Sequence, residues 1–65
     1  MADHVRKRFA DLTAALEDAA GLASDGQAIG LDKAKIEALA SQIDTHLERA
    51  RSNVRAIRRL VANLD

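Results

Sequence analysis

Basic side chains form the most conspicuous chemical feature of this chain. Eight of its ten Lys and Arg residues fall in two segments, residues 6–8 and 49–59. If the chain folds back on itself, these two segments meet at one end of the fold. Clustered Lys and Arg can contact the phosphates of RNA or DNA. The candidate phosphate contacts are Arg6, Lys7, Arg8, Arg51, Arg55, Arg58 and Arg59.

The same cations have a second interpretation, which is pairing with acidic residues inside an assembly. Lys and Arg together equal Asp and Glu at ten each, so no net charge attracts the chain to nucleic acid or to a membrane surface. No aromatic residue lies between the basic residues to stack on bases. The sequence therefore favours pairing within an assembly and leaves a dimeric nucleic-acid-binding protein as the alternative.

His46 is the other residue that could carry chemistry. The segment His46-Leu47-Glu48-Arg49-Ala50 is similar to the phosphoacceptor segments of histidine phosphotransfer helices, with a basic residue three positions after the histidine and a small one after that. The match is too short to define a family, and a histidine on the flank of a helix is more often simply solvated. Phosphotransfer through His46 is a second alternative.

Metal binding and catalysis have little support in the sequence. Cysteine is absent and only two histidines are present. A metal site inside a helical bundle requires inward-facing carboxylates and histidines three or four residues apart, whereas every predicted inward position is apolar. The predicted fold places no general base beside a serine that could act as a nucleophile, and no glycine-rich phosphate loop exists. We predict a protein that is not an enzyme and that holds no cofactor and no metal.

Two amphipathic helices must position these residues. Proline is absent and Phe9 is the sole aromatic residue, a composition that favours helix over sheet. Apolar residues then recur at alternating spacings of four and three, the pattern of helices packed lengthwise on one another. In the second half this seam is Ile36, Ala40, Ile43, Leu47, Ala50, Val54, Ile57, Val61 and Leu64. In the first half it is Val5, Phe9, Leu12, Leu16, Ala19 and Ala23.

A short loop with two glycines separates the two periodic segments. We predict one helix over residues 3 to 23 and another over residues 33 to 64, within a single domain spanning residues 1–65. Gly26 is expected to end the first helix in the left-handed conformation, and Asp32 is expected to cap the second. Because the connection is short, the helices should form an antiparallel all-α hairpin.

Pairing the two predicted seams indicates which residues face each other. Phe9 then lies opposite Ala50 and Leu12 opposite Leu47, so that a large side chain meets a small one in the first of these layers. Leu60, Val61 and Leu64 are left without a neighbour in the first helix. An apolar segment without a neighbour predicts a contact with another chain.

A homodimer would supply that contact. A stripe beside the second seam is acidic in its first half and basic in its second, so two antiparallel copies would set unlike charges together. This charge stripe is Glu37, Asp44, Glu48, Arg51, Arg55 and Arg58. A small domain without disulfides also gains stability by oligomerising. We predict a homodimeric four-helix bundle. The predicted residues of the dimer or partner interface are Ile36, Ala40, Ile43, Leu47, Ala50, Val54, Ile57, Leu60, Val61 and Leu64.

The expected location and function follow from these patterns. No segment approaches the roughly 18 apolar residues of a membrane span, and the first residues lack the apolar core of a signal peptide, so we expect a cytoplasmic protein without a membrane partner. We expect a small non-catalytic interaction or regulatory protein that acts through helix–helix contacts as a homodimer. Its partners would be a second copy and another protein, with nucleic acid as the alternative.

Overall fold

The computed structural model describes residues 2–64, which form two α-helices and no strand. Helix α1 spans Ala2–Asp25 and helix α2 spans Lys33–Ala62. The two helices pack lengthwise as an antiparallel pair that measures 53 × 14 × 10 Å. The predicted all-α helical hairpin is confirmed. Helix α1 continues to Asp25 rather than ending at residue 23, and α2 ends at Ala62 rather than at residue 64.

The helix ends follow local signals with one exception. The side chain of Asp32 accepts a hydrogen bond of 2.8 Å from the backbone N–H of Lys35, as expected of an N-cap. The expectation for Gly26 is wrong, because within residues 2–64 the positive φ, +84°, belongs to Gly30. Helix α1 ends instead by tightening into a turn in which the Gln27 N–H donates to the Ser24 carbonyl at 3.0 Å. The left-handed residue is needed only where the chain reverses before α2.

Small side chains form the interior of the hairpin. The buried residues are Ala15, Ala19, Ala50, Asn53 and Ala56. Alanines let two helices approach closely, because the distance between helix axes depends on the side chains at the contact. Larger apolar residues flank this centre and are half-buried. They are Val5, Leu12, Leu22, Leu39, Ile43, Ile57 and Leu60.

The predicted facing of the two seams is wrong. Phe9 is 50% exposed and Leu47 is 44% exposed, so neither lies between the helices. The cross-helix contacts join Asp11 to Arg49 and Asn53 instead. Both helices are rotated so that alanines, rather than the large residues of the predicted seams, face the interior, and the pairing is shifted by about one turn. This arrangement combines close approach of the alanines with hydrogen bonds across the pair, which the predicted pairing would not provide.

The hairpin therefore has two different sides. Leu16 follows buried Ala15 and Val54 follows buried Asn53, so each exposed side chain is turned by about 100° from the interior in the same sense. Because the two helices run in opposite directions, equal rotations about their own axes bring the exposed apolar side chains of both helices to the same side of the hairpin. A groove near the loop supports this arrangement, because residues of both helices line it, including Ala23 of α1 and Ala40 of α2. We call this side the apolar face. It comprises Phe9, Leu16, Ile36, Ala40, Leu47, Val54 and Val61.

Candidate functional site

A hydrogen-bonded cluster crosses the hairpin on the side opposite the apolar face. Arg49 on α2 donates to both carboxylate oxygens of Asp11 on α1, at 2.9 Å from Nη2 to Oδ1 and at 3.4 Å from Nε to Oδ2. The Asn53 amide also donates to Asp11 Oδ2, and to the Arg49 carbonyl at 3.1 Å. Arg8 donates from Nη1 to Asn53 Oδ1 at 3.3 Å. We call Arg8, Asp11, Arg49 and Asn53 the polar cluster.

The polar cluster changes the acidity of its charged members. The hydrogen bonds from Arg49 and then from Asn53 hold the pKa of Asp11 below its ordinary value, since both stabilise the carboxylate. The hydrogen bond to Asp11 likewise raises the pKa of Arg49. Asn53 is 2% exposed, and its side chain makes hydrogen bonds to groups on both helices. The cluster thus stays charged at neutral pH and fixes how the two helices are paired.

A basic groove adjoins the polar cluster at the end of the hairpin where α1 begins and α2 ends. It has a volume of about 590 Å³. Three of the predicted cations line it, Lys7, Arg8 and Arg59, together with the apolar residues Ala56 and Leu60. The remaining lining residues are His4, Asp11, Asn53 and Asn63. Leu60 is half-buried and lines this groove together with residues of α1, contrary to the expectation that nothing from α1 lies near it.

The structure divides the predicted phosphate contacts into two groups. Lys7, Arg8 and Arg59 lie together in the basic groove, whereas Arg6, Arg51, Arg55 and Arg58 do not line it. Arg55 lies 3.8 Å from the Glu48 carboxylate on the exposed surface of α2. The sequence predicted that all seven cations lie at one end of the fold. In the structure, three of the seven line the same concave surface.

His46 is half-buried beside α1. Its Nδ1 lies 4.0 Å from Asp18 Oδ2, and Arg49 Nη1 lies 3.6 Å from the same oxygen. The imidazole therefore lies close to a carboxylate of the opposite helix. Phosphotransfer through His46 stays a prediction.

The predicted interface residues occupy three environments. Six are exposed: Ile36, Ala40, Leu47, Val54, Val61 and Leu64. Ile43, Ile57 and Leu60 are half-buried between the hairpin interior and its surface. Ala50 is buried against α1 and is 6% exposed. A shallow groove of about 480 Å³ follows α2 from Ile36 to Leu47.

Sequence reasoning missed Asp11 and Asn53. The signal for Asn53 exists, because Leu39, Ile43, His46, Ala50, Asn53, Ile57 and Leu60 also alternate at spacings of four and three. This second stripe shares Ile43, Ala50 and Ile57 with the predicted seam, and every one of its residues is buried or half-buried. Two of its positions, His46 and Asn53, are polar, so a pattern of apolar residues alone does not show it.

Residues 2–64 contain no group of three or more His, Asp or Glu side chains arranged to hold a metal ion. Neither α1 nor α2 combines the length and the apolar character needed to cross a bilayer.

By its fold, the chain is an all-α two-helix hairpin with one exposed apolar face. Comparisons of the chain with protein-family models, with curated proteins and with solved structures find no match.

Proposed function

We propose that this chain is a small non-catalytic interaction and regulatory protein that acts through helix–helix contacts as a homodimer. The observation that carries the proposal is the distribution of side chains by size. Alanines fill the interior of the hairpin, while Phe9, Leu16 and Leu47 lie on its surface, each at least 44% exposed. Exposed apolar residues that form one continuous patch mark an interaction surface.

The exposed area supports a second helical layer on the apolar face. The hairpin exposes 5111 Å², whereas a compact monomer of 7.0 kDa exposes about 4,000 Å². The excess of roughly 1,000 Å² is similar to the ~800 Å² that each partner buries in a standard interface. Its radius of gyration of 15.3 Å also exceeds the ~11 Å of a compact chain of this length. Covering the apolar face would turn an open hairpin into a four-helix bundle with a core of large side chains.

The charge stripe favours a second copy as the occupant. When two hairpins meet through their apolar faces with α2 antiparallel to α2, the acidic half of each stripe lies beside the basic half of the other. Ile36 then meets Val61 of the second copy, and Ile43 meets Val54. The contact is self-complementary, as a two-fold interface must be. Exposed ion pairs add only about 0.2–1 kcal/mol each, so the apolar contacts supply the affinity and the charges set the direction.

The regulatory part of the proposal rests on what the dimer leaves exposed. Leu64, beyond the end of α2, and Ile29 in the loop are apolar and exposed, and they offer contacts for another protein at the ends of the bundle. A cytoplasmic location fits the cysteine-free sequence.

The mass in solution tests the homodimer. Sedimentation equilibrium at micromolar concentration should give twice the chain mass for the wild type. Leu47→Glu and Leu16→Glu, one on each helix, should give folded monomers, because each places a charge in the apolar interface. Ile29→Glu is the matched control: it makes the same kind of change at a fully exposed loop position and should stay dimeric. A folded wild-type monomer at micromolar concentration would overturn the proposal.

A further inference from the structure

The basic groove lies on the side of the hairpin that the proposed dimer leaves open. Its lining residues come from the first three turns of α1 and the last turns of α2, and none of them belongs to the apolar face. Two hairpins that pair through their apolar faces therefore carry two such grooves, both directed outward. A single chain forms each groove, so the groove does not depend on the dimer.

The groove carries a positive charge that the hairpin itself does not neutralise. Lys7, Arg8 and Arg59 are exposed, and none of them is ion-paired within residues 2–64. Asp11 is the one acidic residue of the lining, and it already accepts two hydrogen bonds from Arg49. With three cations and one carboxylate in the lining, and Arg49 also paired with that carboxylate, the groove presents an excess of positive charge to a ligand.

The chemistry of these side chains fits a phosphate group. Arginine presents planar N–H pairs that bind phosphate oxygens in a bidentate manner, and lysine adds a compact positive charge. Arg8 donates a hydrogen bond from Nη1 to Asn53 Oδ1. This contact orients the Arg8 side chain and leaves its other N–H donors for a ligand. The volume of about 590 Å³ lies within the roughly 300–1,000 Å³ of small-molecule sites.

We propose that the basic groove binds the phosphate group of a phosphorylated ligand, held by Lys7, Arg8 and Arg59. Two sources share this chemistry, a small phosphorylated molecule and the backbone of a nucleic acid. The lining contains no Phe, Tyr or Trp for base stacking, and its three cations favour the phosphate as the recognised group. This assigns the phosphate contact to three of the seven basic residues and separates it from Arg51, Arg55 and Arg58 of the charge stripe.

Titration of the ¹⁵N-labelled chain tests the groove. Pyrophosphate, adenosine monophosphate and a short single-stranded oligonucleotide are added separately at low ionic strength. The expected result is saturable shifts of the amide signals of the lining residues with at least one of these probes. Saturation by pyrophosphate or the mononucleotide identifies a small-molecule site. Saturation by the oligonucleotide alone, with shifts confined to the groove, identifies the backbone as the source.

Matched variants separate the groove from general charge attraction. Lys7→Gln and Arg59→Gln should each weaken binding roughly tenfold, since each removes a charge-assisted contact. Arg6→Gln and Arg55→Gln remove a charge from the same helices outside the groove and should change binding less than about twofold. Equal losses in all four variants, or no saturable shift with any probe, would overturn the proposal. The monomeric Leu47→Glu variant should still bind, so failure of the dimer and failure of the groove give different results.

Discussion

Arg49 on α2 donates hydrogen bonds to both carboxylate oxygens of Asp11 on α1. The shorter of the two is 2.9 Å, between Nη2 and Oδ1. The two residues belong to different helices and are joined through a planar guanidinium, so the contact has a defined geometry. Sliding one helix along the other by a turn would separate them. This pair therefore favours the alignment that also produces the apolar face and the basic groove.

Asp11→Asn should reduce the sensitivity of the hairpin to acid. The pKa of Asp11 lies below its ordinary value of 3.8, first because of the hydrogen bond from Arg49 and then because of the one from Asn53. A carboxyl whose pKa is lower in the folded state stabilises the fold above the unfolded pKa, and this contribution is lost as pH falls through the folded value. The wild type should lose this part of its stability as the pH falls below 3.8, and the variant should not.

Urea unfolding followed by circular dichroism, over a series from neutral pH to below the ordinary pKa, measures this difference. Asp11→Asn should be the less stable protein at neutral pH, and the gap from the wild type should close in acid. Glu17→Gln, which removes an exposed carboxylate from the same helix, reports the effect of losing one negative charge alone. Parallel stability curves for wild type and Asp11→Asn across the acid range would contradict the prediction.

Asn53 should matter for both stability and alignment. Asn53→Ala is expected to cost about 1–3 kcal/mol, because it leaves hydrogen-bonding groups in the part-buried cluster without their partner. Asn53→Leu should recover stability through apolar burial but loosen the alignment, as expected when a polar seam residue that specifies pairing is replaced. Urea unfolding gives the first effect, and extra amide signals in NMR spectra reveal the second. Ser52→Ala, at the neighbouring exposed position, should stay within about 0.5 kcal/mol. A similarly small effect of Asn53→Ala would refute the assigned role.

The two helices, their antiparallel pairing and the Asp32 cap could be predicted because each depends on local sequence signals. The face that each helix buries could not, because two apolar stripes of the same period run side by side on α2. One contains Ile36, Ala40 and Leu47, and the other contains Leu39, His46 and Asn53. Because His46 and Asn53 are polar, apolar periodicity favours the first stripe, most of whose residues the structure exposes.

The candidate site was predictable only in part for the same reason. The basic residues could be found by composition, and antiparallel topology alone brings Lys7 near Arg59. The concave groove and the polar cluster depend on cross-helix pairs such as Asp11 with Asn53, which exist only in one alignment. Since the alignment was predicted about one turn away, these contacts could not be foreseen.

Two glycine substitutions should have opposite effects. Gly30→Ala should destabilise the hairpin by roughly 1–2 kcal/mol, because φ of +84° is a left-handed conformation that an L side chain disfavours. Gly21→Ala should stabilise it by about 0.5–1 kcal/mol, because Gly21 lies inside α1 and nothing lies within 4 Å of an added Cβ. Thermal unfolding of the two variants beside the wild type measures both shifts. Changes of the same sign would contradict the assigned conformation at one of the two sites.

Charge reversal tests the direction of the proposed dimer. With α2 antiparallel to α2, Asp44 of one copy lies beside Arg51 of the other, and two-fold symmetry creates this pair twice. Neither residue is ion-paired within residues 2–64, so a reversal breaks no such pair in the hairpin itself. Asp44→Arg and Arg51→Asp should each raise the dimer dissociation constant, by roughly tenfold for two exposed pairs replaced by like charges.

The double variant should restore dimerisation to within about twofold of the wild type, because it exchanges the two charges without changing their complementarity. Sedimentation equilibrium at low and at high salt measures all four proteins, and the differences between them should shrink at high salt as the charges are screened. Helix content by circular dichroism controls for effects inside the chain, since residues 44 and 51 lie two turns apart on one helix. If the loss of dimer affinity in the double variant equals the sum of the losses in the two single variants, the helices do not pair antiparallel. A parallel pairing would set each reversed residue beside its own copy, and no rescue could occur.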